Sequence, residues 1–474
     1  MTAQTILPAN SVTDTGYEIT NSCRFNPGDS PVMVKASSSS GNGYKGTFSL
    51  WVKRSNLGAQ QMIGQQDTGH ARVFFNGSNQ LRCYGNSAGE DNAFDLASTA
   101  LFRDVGAWYH IVFAWDNTQG TAANRNKVYV NGVQLTDFAT ETYNPQNTQI
   151  GGGFFVDSLN LTISGKNEDY FDGYMAEIVG IENTTYGPTD FGEFDEDSGI
   201  WKPIDGLEDL TFGPNGFYPD FEDSANLGND VNGGTDFTES NLAAIDQSTD
   251  TPTNNFATLN SIDTFYVDGT LSEGNCKYVG SAGNYDFVYS TIQVSQGKWY
   301  FEGTYKDGDS DSGLIGITGK AMTDTANYLG KTATHEFSYI GSAGRTVTGG
   351  TFSTDGSYDA FTADDVIGVA MDLDNNKLYY SKNGTFQNSG DPTSGATGTG
   401  ALAITAAAST TNGSYAFAVS SFDSDDADEW EVNFGNPVAA LSSAATDGNG
   451  FGSFEFAPPS GYFALCTKNL AEYG

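Results

Sequence analysis

The chain has 474 residues, with 58 glycines and 59 acidic against 21 basic side chains, for a formal net charge of −38. Aromatic residues make up 13%, too many for a disordered chain, and so acidic a surface repels phosphate backbones, which argues against nucleic acid as a partner. At roughly 150 residues per unit the length suits two or three units, and sandwich folds can run past 200.

The opening, MTAQTILPANSVTDTGYEIT, lacks a basic region followed by an apolar core, so no signal peptide is expected. No run of about 20 apolar residues occurs anywhere, so no membrane insertion is expected either. GTFSLWVKRS then alternates, with Phe48, Leu50 and Val52 on one face and Ser49, Trp51 and Lys53 on the other. AWYHIVFAWDN places Tyr109, Ile111, Phe113 and Trp115 together. NKVYVNGVQL reads as a hairpin turning at Asn131-Gly132, a dipeptide that takes the positive φ angles of a type I′ turn. GYMAEIVGIEN reads as a closing strand, and residues 1–187 form the first expected domain.

Residues 188–263 are turn-rich and punctuated by Pro203, Pro214, Pro219 and Pro252. They also carry Trp201, Phe212, Phe217, Tyr218, Phe221, Phe237 and Phe256, which predicts an ordered connector packed on one or both neighbours. From 264 to 474, GKWYFEGTYKD, SGLIGITG, DDVIGVAMDLD, KLYYSKNG, SYAFAVSSF and EWEVNFGNP read as strands. Ile367, Val369, Met371 and Leu373 share one face, while Gly368 and Ala370 leave room for another layer on the opposite one. A hairpin like the first recurs at Asn383-Gly384. NPVAALSSAA, Asn436 to Ala445, is a candidate helix, and TSGATGTGALAITAAASTTNG a flexible loop tip. The expected fold is all-β: two antiparallel β-sandwich (jelly-roll) domains joined by an ordered, turn-rich connector.

The residues that could carry chemistry are few. Cys23, Cys83, Cys276 and Cys466 form no C-x-x-C pair and read as reduced, buried thiols. His110 lies on an alternating strand and reads as structural; His70 has no obvious partner, and His335 lacks a second histidine four residues on. GNGYKG, Gly41 to Gly46, matches a dinucleotide fingerprint by letter, but a serine run precedes it and a strand follows, so no cofactor is expected. Glu429 and Glu431 flank Trp430 at strand spacing, as Glu193, Asp195 and Asp197 alternate in GEFDEDSG; the plainer reading of each is a solvent face. No catalytic set is expected. In KDGDSDSG, Asp307, Asp309 and Asp311 offer hard oxygens that suit Ca²⁺, with a solvated acidic turn as the other reading; FDSDDADE is a second such loop.

WYHIVFAWDN, NKVYVNGVQL and FDGYMAEIVGIEN together resemble a laminin-G/concanavalin-A-like domain. KWYFEGTY, DVIGVAMDLDNNKLYYSKNGTF and WEVNFGNP resemble a SPRY domain. The order of the two, with the opening TILPANSVTDTGYEITNSCRF, the connector STDTPTNNFATLN and the tail PPSGYFALCTKNL, is similar to virion proteins of marine bacteriophages. That resemblance implies a non-enzymatic tail-fibre or other appendage protein, assembled in the host cytoplasm and resident in the virion. It would bind a host-surface glycan or protein and other virion proteins, as a homo-oligomer, with a trimer the usual state of such fibres. Candidate contact loops are Tyr84 to Asp95, with Asn86 and Asp91, then Asp307 to Gly313, and Asn388 to Gly400, with Asp391. A capsid decoration or adaptor is the alternative, and a polysaccharide depolymerase a third reading.

Overall fold

The structure is a computed structural model. It describes residues 16–36, 41, 43–65, 71–87, 90–149, 154–155, 160–165, 169–262, 269–281, 285–306, 312–320, 327–331, 335–354, 356–422 and 427–474, with only the backbone for 86, 87 and 90–93. The chain divides into two compact units, Asp14–Thr253 and Asn254–Gly474. Residues 188–253 of the expected connector therefore belong to the first unit and 254–263 to the second.

In the first unit the described strands form a seven-stranded and an eight-stranded antiparallel sheet. Lys45–Arg54 lies between Trp108–Asp116 and Gly173–Glu182 in the centre of the seven-stranded sheet. The alternation read from the sequence sets which side chains meet between the sheets: Phe48, Leu50, Val52, Ile111, Phe113 and Trp115 all enter one core, beside Met33, Ile63, Val73 and Leu96. The segment after residue 187 adds an edge strand to each sheet. Thr238–Ser240 pairs with Val32–Lys35, and Gln247–Ser248 with Ser22–Phe25. All seven of the aromatics between 201 and 256 are buried.

The outer face of the seven-stranded sheet is apolar too, and the same segment covers it. Trp51, Trp108, Tyr174 and Ala176 pack with Trp201, while Val112, Val179 and Ile181 pack with Phe191, Leu207, Phe212 and Tyr218. This explains why a central strand such as Gly173–Glu182 is buried along its whole length.

The second unit follows the same logic. Described strands form a nine-stranded and a six-stranded sheet, with Lys298–Tyr305 between Val366–Asp372 and Glu429–Asn433 in the larger. Ile367, Val369, Met371 and Leu373 enter the inter-sheet core with Trp299, Phe301, Tyr305 and Trp430. On the outer face, Tyr300, Ala370 and Tyr379 are covered by Phe256, Phe454, Tyr462 and Cys466. A Cβ at Gly368 would lie 2.5 Å from the Tyr300 hydroxyl, so the glycine makes room for that ring.

Two local expectations are corrected. Asn436–Ala445 is not a helix: the Ser442 N–H and hydroxyl both bind the Glu455 carboxylate. Such long-range partners outweigh alanine's helix propensity. The described α-helix is Thr467–Tyr473 instead, too short to show periodicity. The segment 392–412 is built from 3-10 turns and a short strand, Leu402–Ala403, paired with Lys377–Leu378; it is not a free loop tip. All four cysteines are buried, and none of them is in a disulfide.

The two Asn-Gly hairpins share one construction. Asn131 has a φ of 47° and Gly132 of 79°; Asn383 has 47° and Gly384 77°. The Asn131 N–H donates to the His110 carbonyl at 2.9 Å, and its Oδ1 accepts the His110 N–H at 2.8 Å. Asn383 does the same with Val366, at 2.8 and 2.9 Å. Each asparagine thus clamps its turn to the neighbouring strand. An aromatic ring from downstream closes over each glycine: a Cβ would come within 2.3 Å of Trp201 at Gly132, and within 2.6 Å of Phe456 at Gly384. Gly132→Ala and Gly384→Ala are each expected to cost roughly 1–3 kcal/mol, because both the left-handed backbone and the ring oppose a methyl group. Urea denaturation measures this; an unchanged midpoint would show that the rings move aside freely.

Candidate functional site

The covering of the second unit's outer face is incomplete, and it leaves a groove of about 340 Å³. Alternation along Lys298–Tyr305 and the residue after it sends Glu302, Thr304 and Lys306 to this side, opposite Phe301 and Tyr305. Glu431 joins them from the adjacent strand, across from Thr304. Asp364 and Asn383 line one end, and the segment from Pro437 to Leu441 forms an apolar wall.

Glu302 holds the groove together. It is 2% exposed and accepts the backbone N–H groups of Glu455 and Phe456, both at 2.9 Å, and the Tyr300 hydroxyl at 2.9 Å. Burial nevertheless pushes its carboxyl up to about 7 against those hydrogen bonds. Lys306 sits 2.6 Å from Asp364 and 4.0 Å from Glu431, and the bond to Asp364 raises its ammonium above the usual lysine range. None of Glu302, Lys306 or Asp364 stood out in the sequence. The signal available was strand alternation through KWYFEGTYK, which puts Glu302 with Thr304 and Lys306 on the face opposite the core residues Trp299, Phe301 and Tyr305.

The sequence candidates fall in several places. Asp307, Asp309 and Asp311 lie outside the described residues, as do His70, Asp423, Asp425 and Asp426. Tyr84 to Asp95 is largely two paired strands, Gln80–Ser87 and Glu90–Leu101, and not an open loop; Asn86 lies on the first and Asp91 on the second. Arg82 holds Asp95 through two bonds at 2.7 and 2.5 Å. Asp391 is exposed but engaged, capping a 3-10 turn by accepting the Thr393 N–H at 2.9 Å and hydroxyl at 2.5 Å.

The paired carboxylates are occupied by lysines. Glu429 bonds Lys277 at 2.8 Å, with Trp430 between the two glutamates pointing into the core. Lys202 lies 3.2 Å from Asp195 and 3.5 Å from Glu193. His335 precedes the Glu336–Ile340 strand, and its carbonyl accepts the Gly319 N–H.

His110 repays closer attention, because Ser49 Oγ lies 2.8 Å from its Nε2, the spacing of a nucleophile and its base. The rest of the geometry opposes that role. The Trp201 indole donates to Nδ1 at 3.0 Å, so the ring proton sits on Nε2 and is donated to Ser49. A nitrogen that carries the proton cannot accept one from serine. Burial lowers the imidazole to about 3, and the ring is stacked on Trp51 with centroids 4.6 Å apart. His110 is a packing residue under the connector.

Comparison with known families matches residues 26–179 to the concanavalin A-like lectin/glucanases superfamily, as a Laminin_G_3 domain, and residues 298–420 to the SPRY domain. The chain joins a concanavalin A-like domain to a SPRY domain. Among curated proteins none matches the sequence. Solved structures with similarity include the SPRY domain of human HERC1, at 12% identity over 35% of this chain and 91% of that one, with a TM-score of 0.27. A candidate carbohydrate-binding protein from Bacteroides ovatus aligns at 16% identity over 40% and 61%, with a TM-score of 0.25. A heptameric SAP-like pentraxin from Limulus polyphemus aligns at 13% over 34% and 76%, with a TM-score of 0.26. Lectin-like and SPRY sandwiches are binding folds, generally non-catalytic, and their presence points to recognition of carbohydrate or protein.

The groove belongs to the SPRY-bearing unit, but its wall, residues 437–441, lies beyond the matched span. The buried Glu302 gives this unit a pH signature. Its carboxyl titrates near 7 when folded and near 4.5 when unfolded, so the folded state holds the extra proton between those values. Its contribution to stability is complete below about pH 4.5 and is lost as pH rises through about 7. Glu177 in the other unit, bonded by the Tyr17 and Tyr218 hydroxyls and also pushed up to about 7 by burial, acts in the same direction. Glu302→Gln is therefore expected to reduce, without abolishing, the fall in melting temperature between pH 5 and pH 8. Calorimetric scans across that range test it, and an unaltered slope would refute the assignment.

Proposed function

We propose that this protein is a non-enzymatic structural component of a bacteriophage particle, a tail fibre or similar appendage, that attaches to a host-surface glycan or protein. The observation that carries this reading is the coupling, in one chain, of two sandwich domains of binding-type families. The sequence resemblance to marine phage virion proteins supports the particle. The contacts would come from loops at the ends of the rigid sheets, where side chains vary without disturbing the core; the exposed 3-10 turns around Asp391 are one such surface. Partners in the particle would be other virion proteins and further copies of the chain, with a trimer as the expected state.

Calcium at Asp307, Asp309 and Asp311 belongs to the same proposal, on the alternating spacing of these hard-oxygen ligands. Calorimetry on chelator-treated protein should show heat and a higher melting temperature with millimolar Ca²⁺; neither would appear if the loop is only a solvated turn.

The decisive experiment combines protein mapping of intact particles with binding of the labelled, purified chain to cells that the particle infects. Tail location together with saturable cell binding is the expected result. Many copies on the head with no cell binding would replace this reading with decoration or an adaptor. Release of reducing sugar from host glycan would replace it with a depolymerase.

A further inference from the structure

The first unit buries a lysine against an aspartate in a setting that does more than hold an ion pair. Lys35 ends the Val32–Lys35 strand, and Asp230 lies 195 positions later on the segment that covers the sandwich. Their side chains are 7% and 0% exposed, and Lys35 Nζ lies 2.8 Å from Asp230 Oδ2. The ammonium also donates to the Thr235 carbonyl and faces the rings of Phe217 and Phe237, whose centroids are 6.0 and 5.3 Å away. The other carboxylate oxygen, Oδ1, accepts two backbone N–H groups, from Tyr218 at 2.9 Å and from Asn232 at 3.2 Å. Two fixed amides on one oxygen are what stabilises the negative charge that develops when a carboxyl carbon is attacked. Gly234 stands beside Oδ2: a Cβ there would come within 2.4 Å of that oxygen and 3.5 Å of Nζ, so the glycine keeps this side open. Residues 231–236 are exposed, which gives a departing water a short way out. A third carboxylate, Asp236, follows Thr235 directly. It accepts the Asp230 N–H at 3.0 Å, and the Lys35 charge acts on it.

We propose that Lys35 and Asp230 condense to an intramolecular isopeptide bond. Lys35 passes one proton to Oδ2 across the 2.8 Å contact. The resulting amine attacks the Asp230 carboxyl carbon, and an electron pair moves onto Oδ1, where the Tyr218 and Asn232 N–H groups hold it. Asp236 takes a second proton from the nitrogen and returns it to Oδ2, which leaves as water when the C=O re-forms. The ammonium has lost two hydrogens and the carboxylate one oxygen, so the step balances without oxidant, reductant or further reactant. Holding the two groups in contact supplies the effective concentration that free solution lacks. The neutral amide also removes both charges from an apolar site, where an ion pair is costly to keep. The bond ties the Val32–Lys35 strand to the covering segment, beside the non-covalent pairing that the same strand makes with Thr238–Ser240.

Mass spectrometry of the intact, denatured chain tests the proposal. The mass should fall below that of the sequence by one water, about 18 Da. Tandem spectra of a proteolytic digest should show the Lys35 peptide joined through its side chain to the Asp230 peptide. The link should survive mild alkali, which opens a cyclic imide of the same mass. Lys35→Arg keeps the cation but supplies no amine, so it should restore the full mass. Asp236→Asn should leave part of the population at full mass. An intact wild-type chain without the loss, a digest in which the Lys35 side chain is free, or a loss that persists in Lys35→Arg would overturn the proposal. Complete condensation in Asp236→Asn would overturn the relay role of that residue.

Discussion

The covering of an apolar outer sheet face is the constraint on which the rest of this structure depends. A sandwich needs only its inner faces to be hydrophobic, yet Trp51, Trp108, Val112 and Val179 in one unit, and Tyr300, Ala370 and Tyr379 in the other, place large apolar surface on the outside. Exposed patches of that extent invite aggregation. In both units a later segment of the chain lies over them, bringing Trp201 and Tyr218 to one and Phe454 and Tyr462 to the other. These segments are poor in regular structure because their role is to follow the sheet surface, and aromatic rings linked by turns do that well.

Buried polar groups fix where each cover sits. In the first unit Lys53 and Asp250, both essentially without solvent contact, pair at 2.6 Å, and the Trp108 indole donates to the same aspartate. Lys35 pairs with Asp230 at 2.8 Å beneath Phe217 and Phe237. Removing one partner would strand a charge in an apolar setting, so such pairs select one docking position even where their net contribution to stability is small. In the second unit Glu302 plays this part by accepting two backbone N–H groups of the covering strip. The groove exists because that strip is anchored at 455–456 and leaves the outer face open again beside residues 437–441.

Much of this was legible before any coordinates. Strand alternation identified the inner faces at Phe48, Leu50 and Val52 and at Ile367, Val369 and Met371, since a period of two is enforced by backbone geometry alone. The Asn-Gly turns were equally clear. The candidate site was not. Glu431 was noticed as a strand-face acid, but Lys306, Asp364 and the 437–441 wall come from three separate stretches that only sheet pairing and the fold of the tail bring together. The helix expected at Asn436–Ala445 failed for the same reason: local propensity was overridden by a distant carboxylate, Glu455, on Ser442.

What the sequence by itself determined, then, is the all-β class, the inner faces and the two hairpins, because each follows from neighbours in the chain. Tertiary structure alone decided that His110 is a proton donor locked under Trp201, that Glu302 lies buried, and that the tail closes one side of an acidic groove. Those outcomes depend on which distant residue removes water from a group or supplies its hydrogen bond, and no local pattern encodes that.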